Sequence, residues 1–260
     1  MAAAPTPSFA VGDATIVEGN EGIQYAAVYV SLSAATAKTV QVSYNTVDGT
    51  ARAGSDYTAA SGTLTFAPGE ISKSILLPVK GDRVGEANES FFINLSGAKG
   101  TKIADAQGIV AIMEDEPIIG IFGVGGCKGA DTTAFTFAVY IPQAYDQPVT
   151  VAYTTRDGTA IAGVDYSATF GTLTFSPGET SKNISVAVLG DPIEGPGSKA
   201  FYVALTGASS NAIVNPYAST GTGTIIQSAQ PPGCYWDSQS GRWVAYGSPD
   251  PGDGEYLPWG

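Results

Sequence analysis

The side chains able to do chemistry in this sequence are almost all carboxylates. Histidine is absent, cysteine occurs only as Cys127 and Cys234, and 24 Asp and Glu stand against 12 Lys and Arg. Without histidine, neither a Ser–His–Asp nor a Cys–His nucleophile can be assembled. No glycine loop has phosphate-binding spacing. Carboxylates alone leave two chemistries. Paired acids hydrolyse glycosides, and grouped acids ligate a hard cation such as calcium, which takes several oxygens from flexible positions. Two stretches concentrate acids, GDRVGE at 81–86 and EDE at 114–116.

Composition narrows the partners. A net charge of −12 repels nucleic acid and anionic membranes and attracts cations. Hydrophobic residues make up 43% and charged residues 14%, which describes packed cores rather than a disordered chain. With 33 Gly, 16 Pro and recurrent runs of Thr, Val, Tyr and Phe, the pattern is one of short strands and tight turns. No apolar run is long enough to cross a membrane as a helix, so no membrane insertion is expected. The start, MAAAPTPSFAVGD, has neither the basic nor the apolar region of a secretory signal. The expectation is a removed leader, signal-independent export, or departure from the cell inside an assembly. Each would leave the protein outside the cell or on a virion surface.

Those acids must be positioned by something, and the sequence supplies it twice. Residues 44–73, YNTVDGTARAGSDYTAASGTLTFAPGEISK, align without a gap on 153–182, YTTRDGTAIAGVDYSATFGTLTFSPGETSK. One residue is inserted before FFINLSG (91–97) is matched again by FYVALTG (201–207). A repeat of this length is a duplicated domain. Alternation marks strands at Tyr25 to Ser33, at Val40, Val42 and Tyr44, and from Gly62 to Phe66. It continues through Ile75, Leu77 and Val79, then Phe91, Ile93 and Leu95, then Ile109, Ala111 and Met113. Pro68-Gly69 is a type II turn pair. With Phe9 to Val17 this predicts about seven strands per copy, an all-β, immunoglobulin-like antiparallel sandwich. The organisation expected is a module at 1–117, a second at 118–230, and an aromatic-rich tail at 231–260.

The run DGTA-x-AG-x-DY, then GTLTF-x-PGE, then GD, with E-x-x-E before an aromatic strand and a closing EDE in the first copy, resembles the Calx-beta domain family over roughly residues 8–229. That resemblance implies a seven-stranded sandwich with calcium at one tip. Carried over position by position, it implies Glu18, Asp56, Asp82, Glu86, Glu114, Asp115 and Glu116 as calcium ligands in the first module. Gly81 departs from the pattern, because a further acid stands there in the exchanger domain that holds most ions. Acids brought so close would repel one another and raise their own pKa values, which a divalent ion relieves. Arg83 is the nearest cation in sequence. Asp48 and Asp157, in DGTA, read as turn residues instead. With the acids assigned to metal at a module tip, no enzyme is expected.

The second copy keeps Asp165 and Asp191 but loses the rest. Aligned on the repeat, Cys127 meets Glu18, Lys199 meets Glu89, Glu194 is an approximate match for Glu86, and EDE becomes Gln227-Ser228-Ala229. The expectation is no calcium, or feeble binding, in this module. Cys127 and Cys234 are expected near its tip, where a disulfide would act as a staple in place of metal. Free thiols and bridges between subunits are the alternatives. Closing a loop of about 100 residues contributes at most about 4.7 kcal/mol in the chain-entropy model.

All three tryptophans, Trp236, Trp243 and Trp259, follow Pro231-Pro232. CYWDSQSGRWVAYG reads as a hairpin. Together with Tyr235 these rings would either cap the second module or dock another protein subunit, sugar binding being the lesser alternative. The role this suggests is a calcium-stabilised structural component of a larger assembly such as a virion decoration or fibre. The alternative is a cell-surface adhesin fragment or a calcium-sensing regulatory module.

Overall fold

The computed structural model describes residues 6–129, 131–190, 197–227, 234–237 and 242–245. The chain divides into two compact units, Met1–Glu116 and Pro117–Gly260. Both are built of β-strands, with no helix among the described residues.

The first unit contains β1 (Ser8–Val11), β2 (Ala14–Val17), β3 (Gly22–Leu32), β4 (Val40–Asp48), β5 (Ser61–Phe66), β6 (Ser72–Gly81), β7 (Glu89–Lys99), β8 (Lys102–Asp105) and β9 (Gln107–Met113). They form two sheets, β6-β3-β1-β8 and β2-β9-β7-β4-β5. Alternation decides which side chains face inward. Along β3, Ala26, Val28, Val30 and Leu32 are buried while the residues between them are exposed. Between the sheets lie Phe9, Phe66, Leu77 and Ile93, with Tyr57 stacked on Phe91 at 3.9 Å between ring centroids.

The stretch expected as one strand from Phe9 to Val17 is two. At Gly12-Asp13 the chain leaves one sheet for the other. The Gly12 N–H still donates to Tyr29 O (2.9 Å), whereas Asp13 Oδ1 already accepts from the Ile109 N–H (2.8 Å). In consequence β1 pairs with β3 and β2 with β9, and the β2–β9 and β1–β8 pairings are parallel within otherwise antiparallel sheets. The four residues of β8 (KIAD) were too few to show alternation in the sequence.

The second unit repeats the plan with β10 (Ile118–Ile121), β11 (Val124–Cys127), β12 (Thr133–Tyr140), β13 (Val149–Asp157), β14 (Phe170–Phe175), β15 (Ser181–Val188), β16 (Gly197–Ala208), β17 (Ile213–Val214) and β18 (Thr220–Gln227). Its sheets are β15-β12-β10-β17 and β11-β18-β16-β13-β14. Tyr166 stacks on Phe201 (4.4 Å) where the first unit has Tyr57 on Phe91. Two further strands, β19 (Cys234–Asp237) and β20 (Arg242–Ala245), pair as an antiparallel ribbon with Trp236 opposite Trp243 and Tyr235 opposite Val244. β20 lies against β11. The side chains of Cys234, Tyr235, Trp236 and Trp243, and all of Trp259, lie outside the described residues.

Candidate metal centre

The DGTA-x-AG-x-DY segment is a scaffold that aims one carboxylate. Asp48, at the end of β4, accepts from the Tyr57 hydroxyl (2.7 Å) and the Ala53 N–H (2.9 Å). The Tyr57 bond holds the Asp48 carboxyl below its usual range, and burial followed by the same bond pushes the phenol up to about 12. Asp48 is therefore the turn residue that the sequence suggested. Gly49 cannot carry a side chain, since a Cβ there would lie 2.3 Å from Ser90 O. Gly54 turns the chain at a φ of 103°, which favours glycine. The turn ends on Asp56, whose Oδ2 accepts from the Arg52 N–H (2.6 Å) while its backbone carbonyl accepts from Lys80 N (2.8 Å).

The other acids arrive from strand ends. β2 and β9 finish side by side, and the Glu18 N–H donates to Met113 O (3.0 Å) as the chain leaves β2. β9 then releases Glu114, Asp115 and Glu116. Glu114 is the hub. Its Oε2 accepts from the Glu86 N–H (2.8 Å), its Oε1 from the Glu116 N–H (3.0 Å), and its own N–H donates to Asn88 Oδ1 (2.9 Å). Asp115 clamps the next turn through bonds from Gly19 N (2.9 Å) and Asn20 Nδ2 (3.1 Å), with Arg83 Nη1 donating to Asn20 Oδ1 (3.0 Å). Asp82 Oδ1 folds its own loop by accepting from the Val84 N–H (2.7 Å).

Two carboxylate triads result, Asp56–Glu86–Glu89 and Glu114–Asp115–Glu116, each with oxygens within 4.8 Å of one another. Glu89 was not among the ligands expected, although E-x-x-E had been noted as part of the motif. Its place at the first residue of β7 puts it beside Asp56. Glu18, 7% exposed, is influenced by Glu114, Asp82, Glu86 and Asp115, so it links the two groups.

The electrostatics are those of a site built for positive charge. Burial first, and then the surrounding carboxylates, push Glu18 up to about 8. Burial and the Glu114 contact push Glu116 to about 8. Burial and Asp56 push Glu89 to about 7, against the pull of Arg52, a cation that the sequence reading had not placed here. Burial and neighbouring acids raise Glu86 as well. The donors are all oxygens, converge in groups and carry mutual repulsion that a divalent cation would remove, so the set fits calcium. Gly81 also has its explanation. A Cβ there would stand 2.1 Å from Gly19 O, so the backbone closes the position to an acid.

The second unit corrects one correspondence. Cys127 pairs with Ile226 as Val17 pairs with Met113, and the Lys128 N–H donates to Ile226 O (2.9 Å) as Glu18 does to Met113 O. The counterpart of Glu18 is therefore Lys128, not Cys127. The shift arises because β11 is displaced by one residue relative to the gap-free part of the repeat, which sequence alignment alone did not reveal. Lys199 faces Ile225 across β18 as Glu89 faces Ile112 across β9, so that correspondence stands. Asp165 sits in the same turn as Asp56, its Oδ2 accepting from the Ile161 N–H (2.9 Å). Its Oδ1 meets Lys199 Nζ at 2.7 Å and Lys128 Nζ at 3.7 Å. Burial draws the Asp165 pKa upward, but the Lys199 bond, the Ile161 N–H and the two ammonium charges overcome it, and the carboxyl lies below its ordinary value. Cys127 is buried at the end of β11. Asp191, Glu194, Ser228 and Ala229 lie outside the described residues, as does the Gln227 side chain.

Comparison with known proteins shows the family. The family model described as the Calx-beta domain matches residues 5–116 and again 127–228. Sodium/calcium exchanger 1 of Canis lupus familiaris is 33% identical over 178 residues, covering 59% of this chain and 18% of the exchanger. Human sodium/calcium exchanger 2 is 33% identical over 183 residues, covering 59% and 19%. The chain thus spans less than a fifth of the length of these curated relatives. Among solved structures, CBD12 from CALX1.2 covers 85% of this chain and 100% of its own, at 22% identity and a TM-score of 0.46. The apo-form Calx CBD1 domain covers 43% and 100%, at 27% identity and a TM-score of 0.39. The chain belongs to the Calx-beta family and carries two tandem copies of its domain.

Proposed function

We propose that this chain is a non-catalytic, calcium-responsive module pair in which the first domain binds the ion and the second does not. The observation that carries the reading is the pair of carboxylate triads, linked by buried Glu18, in which burial and mutual repulsion raise Glu18, Glu86, Glu89 and Glu116 despite the pull of Arg52 on Glu89. Glu18, Asp56, Asp82, Glu86, Glu89 and Glu114 to Glu116 would hold calcium, and the ion would supply the charge that offsets their repulsion. The relatives are sodium/calcium exchangers, which favours the calcium-sensing alternative over a virion decoration or adhesin. The absence of histidine, and the gathering at one tip of the acids that cluster among the described residues, support a non-enzymatic role.

Two narrower proposals accompany it. A Cys127–Cys234 disulfide would staple the second domain, supported by the burial of Cys127 and by β20 lying against β11. The tail would dock a partner protein through Tyr235, Trp236, Trp243 and Trp259. Truncation after Gln230 that lowers stability without altering self-association or partner capture would refute docking.

The central test is thermal unfolding of the oxidised full chain in excess calcium chloride and in chelator. At a hundredfold excess over Kd the first domain should gain about 2.7 kcal/mol. Identical curves under the two conditions would refute calcium binding.

A further inference from the structure

We propose that the second domain carries its cation in its own chain: the ammonium groups of Lys128 and Lys199 stand at its tip where a metal ion stands in the first. The comparison with metal rests on the calcium reading of the first domain. The observations are geometric. Asp56 and Asp165 occupy the same turn, with Oδ2 tied to a backbone N–H in both. In the first domain this carboxylate faces Glu86 and Glu89. In the second, its remaining oxygen is met by both lysines.

The two lysines are the counterparts of Glu18 and Glu89 by strand register, so the exchange falls at the two positions flanking the conserved turn. Replacing two carboxylates by two ammonium groups moves the local charge as far as adding two divalent cations. Burial makes the exchange consequential, because Asp165 is 1% exposed and Lys128 4%. Charges so deep persist when paired and hydrogen-bonded. The Asp165 turn keeps the same backbone bonds as the Asp56 turn: its N–H donates to Ile161 O (2.8 Å) and its carbonyl accepts from Leu189 N (2.9 Å). The second tip therefore holds its arrangement at every calcium level, as a fixed counterpart to a responsive first tip.

The test is the double substitution K128E/K199E in the full chain, which places at both positions the residue type of the first domain. Hydrogen exchange of peptides spanning 159–167 is read in calcium chloride and in chelator, with peptides spanning 50–58 as the internal control. In the wild type, calcium should slow 50–58 and leave 159–167 unchanged. In the variant, 159–167 should exchange about tenfold faster or more in chelator, as local opening becomes easier, and calcium should slow it again. Calcium-dependent exchange of 159–167 in the wild type would overturn the proposal. So would calcium-independent exchange of 159–167 in the variant while 50–58 responds. If 50–58 fails to respond in either protein, it is the calcium reading of the first domain that falls. Where the double variant does not fold, Lys199→Glu alone, which keeps Lys128 beside Asp165, is read in the same way.

Discussion

The two domain tips pose one electrostatic problem and answer it in opposite ways. Each begins from an aspartate fixed by a turn, Asp56 or Asp165, under a Tyr–Asp brace made by Tyr57 and Asp48 or by Tyr166 and Asp157. In the first domain the strand ends around it deliver Glu18, Glu86, Glu89 and Glu114 to Glu116, and the carboxyl pKa values at Glu18, Glu86, Glu89 and Glu116 rise. In the second they deliver Lys128 and Lys199, and the pKa of Asp165 falls. The scaffold and the charge it displays are separable. Backbone register builds the tip, and the side chains at two register positions set the sign of the charge it displays.

The sharpest way to break this comparison is to remove the internal cations without replacing them. Lys128→Met with Lys199→Met leaves a buried carboxylate uncompensated, and the second domain should lose about 3–5 kcal/mol. Denaturant unfolding would measure the loss, and calcium should not restore it. A somewhat smaller effect is expected at Gly81. Changing Gly81→Asp to mimic an additional ligand should cost the first domain about 1–3 kcal/mol, because the new Cβ meets the Gly19 carbonyl. Higher calcium affinity without a stability loss, read by calorimetric titration, would contradict this.

Glu18→Gln should change sign with conditions. In chelator it removes a carboxyl that burial and its acidic neighbours keep from ionising, and should stabilise the first domain by about 1–2 kcal/mol. In calcium it removes a ligand and should destabilise the same domain. Thermal scans that move in one direction under both conditions would show that Glu18 is not a ligand.

The contrast extends to pH. Glu18 rises from 4.5 to about 8, so the native state binds more protons than the unfolded state across that window. In chelator the first domain should therefore lose stability as pH rises from about 4.5 toward about 8, and calcium should reduce the slope. Asp165 moves the other way, down from 3.8. Its contribution is complete above that value and is lost as acid carries pH down through the lower folded pKa. Melting curves recorded across pH, with and without calcium, would sharpen or dissolve the contrast.

Much of this was legible in the residues. The gap-free repeat and the alternation along Tyr25 to Ser33 and Ile75 to Val79 gave the sandwich, because burial on one face of a strand leaves a period of two. The motif from Asp48 to Tyr57 marked a braced turn. What escaped depended on register. Nothing in the one-dimensional alignment says that β11 slips by one residue, so Lys128 was hidden behind Cys127. The crossing at Gly12-Asp13 was equally silent, since both halves of that stretch alternate and only their hydrogen-bond partners differ. Glu89 was visible as part of E-x-x-E, but its proximity to Asp56 comes from β7 starting where the β4 turn returns.

The parallel pairing of β2 with β9 has a mechanical meaning. The chain enters the first domain through β1, crosses at Gly12-Asp13 into β2 and leaves through β9, and β2 and β9 run side by side in the same direction over Ala14–Val17 and Val110–Met113. Tension applied to the ends of such a domain loads that ladder in shear, so its bonds must yield together rather than unzip one by one. Glu18 and Glu114 leave the two strands at the same end of the ladder, and a cation held between them would act as a clasp on the seam that bears the load.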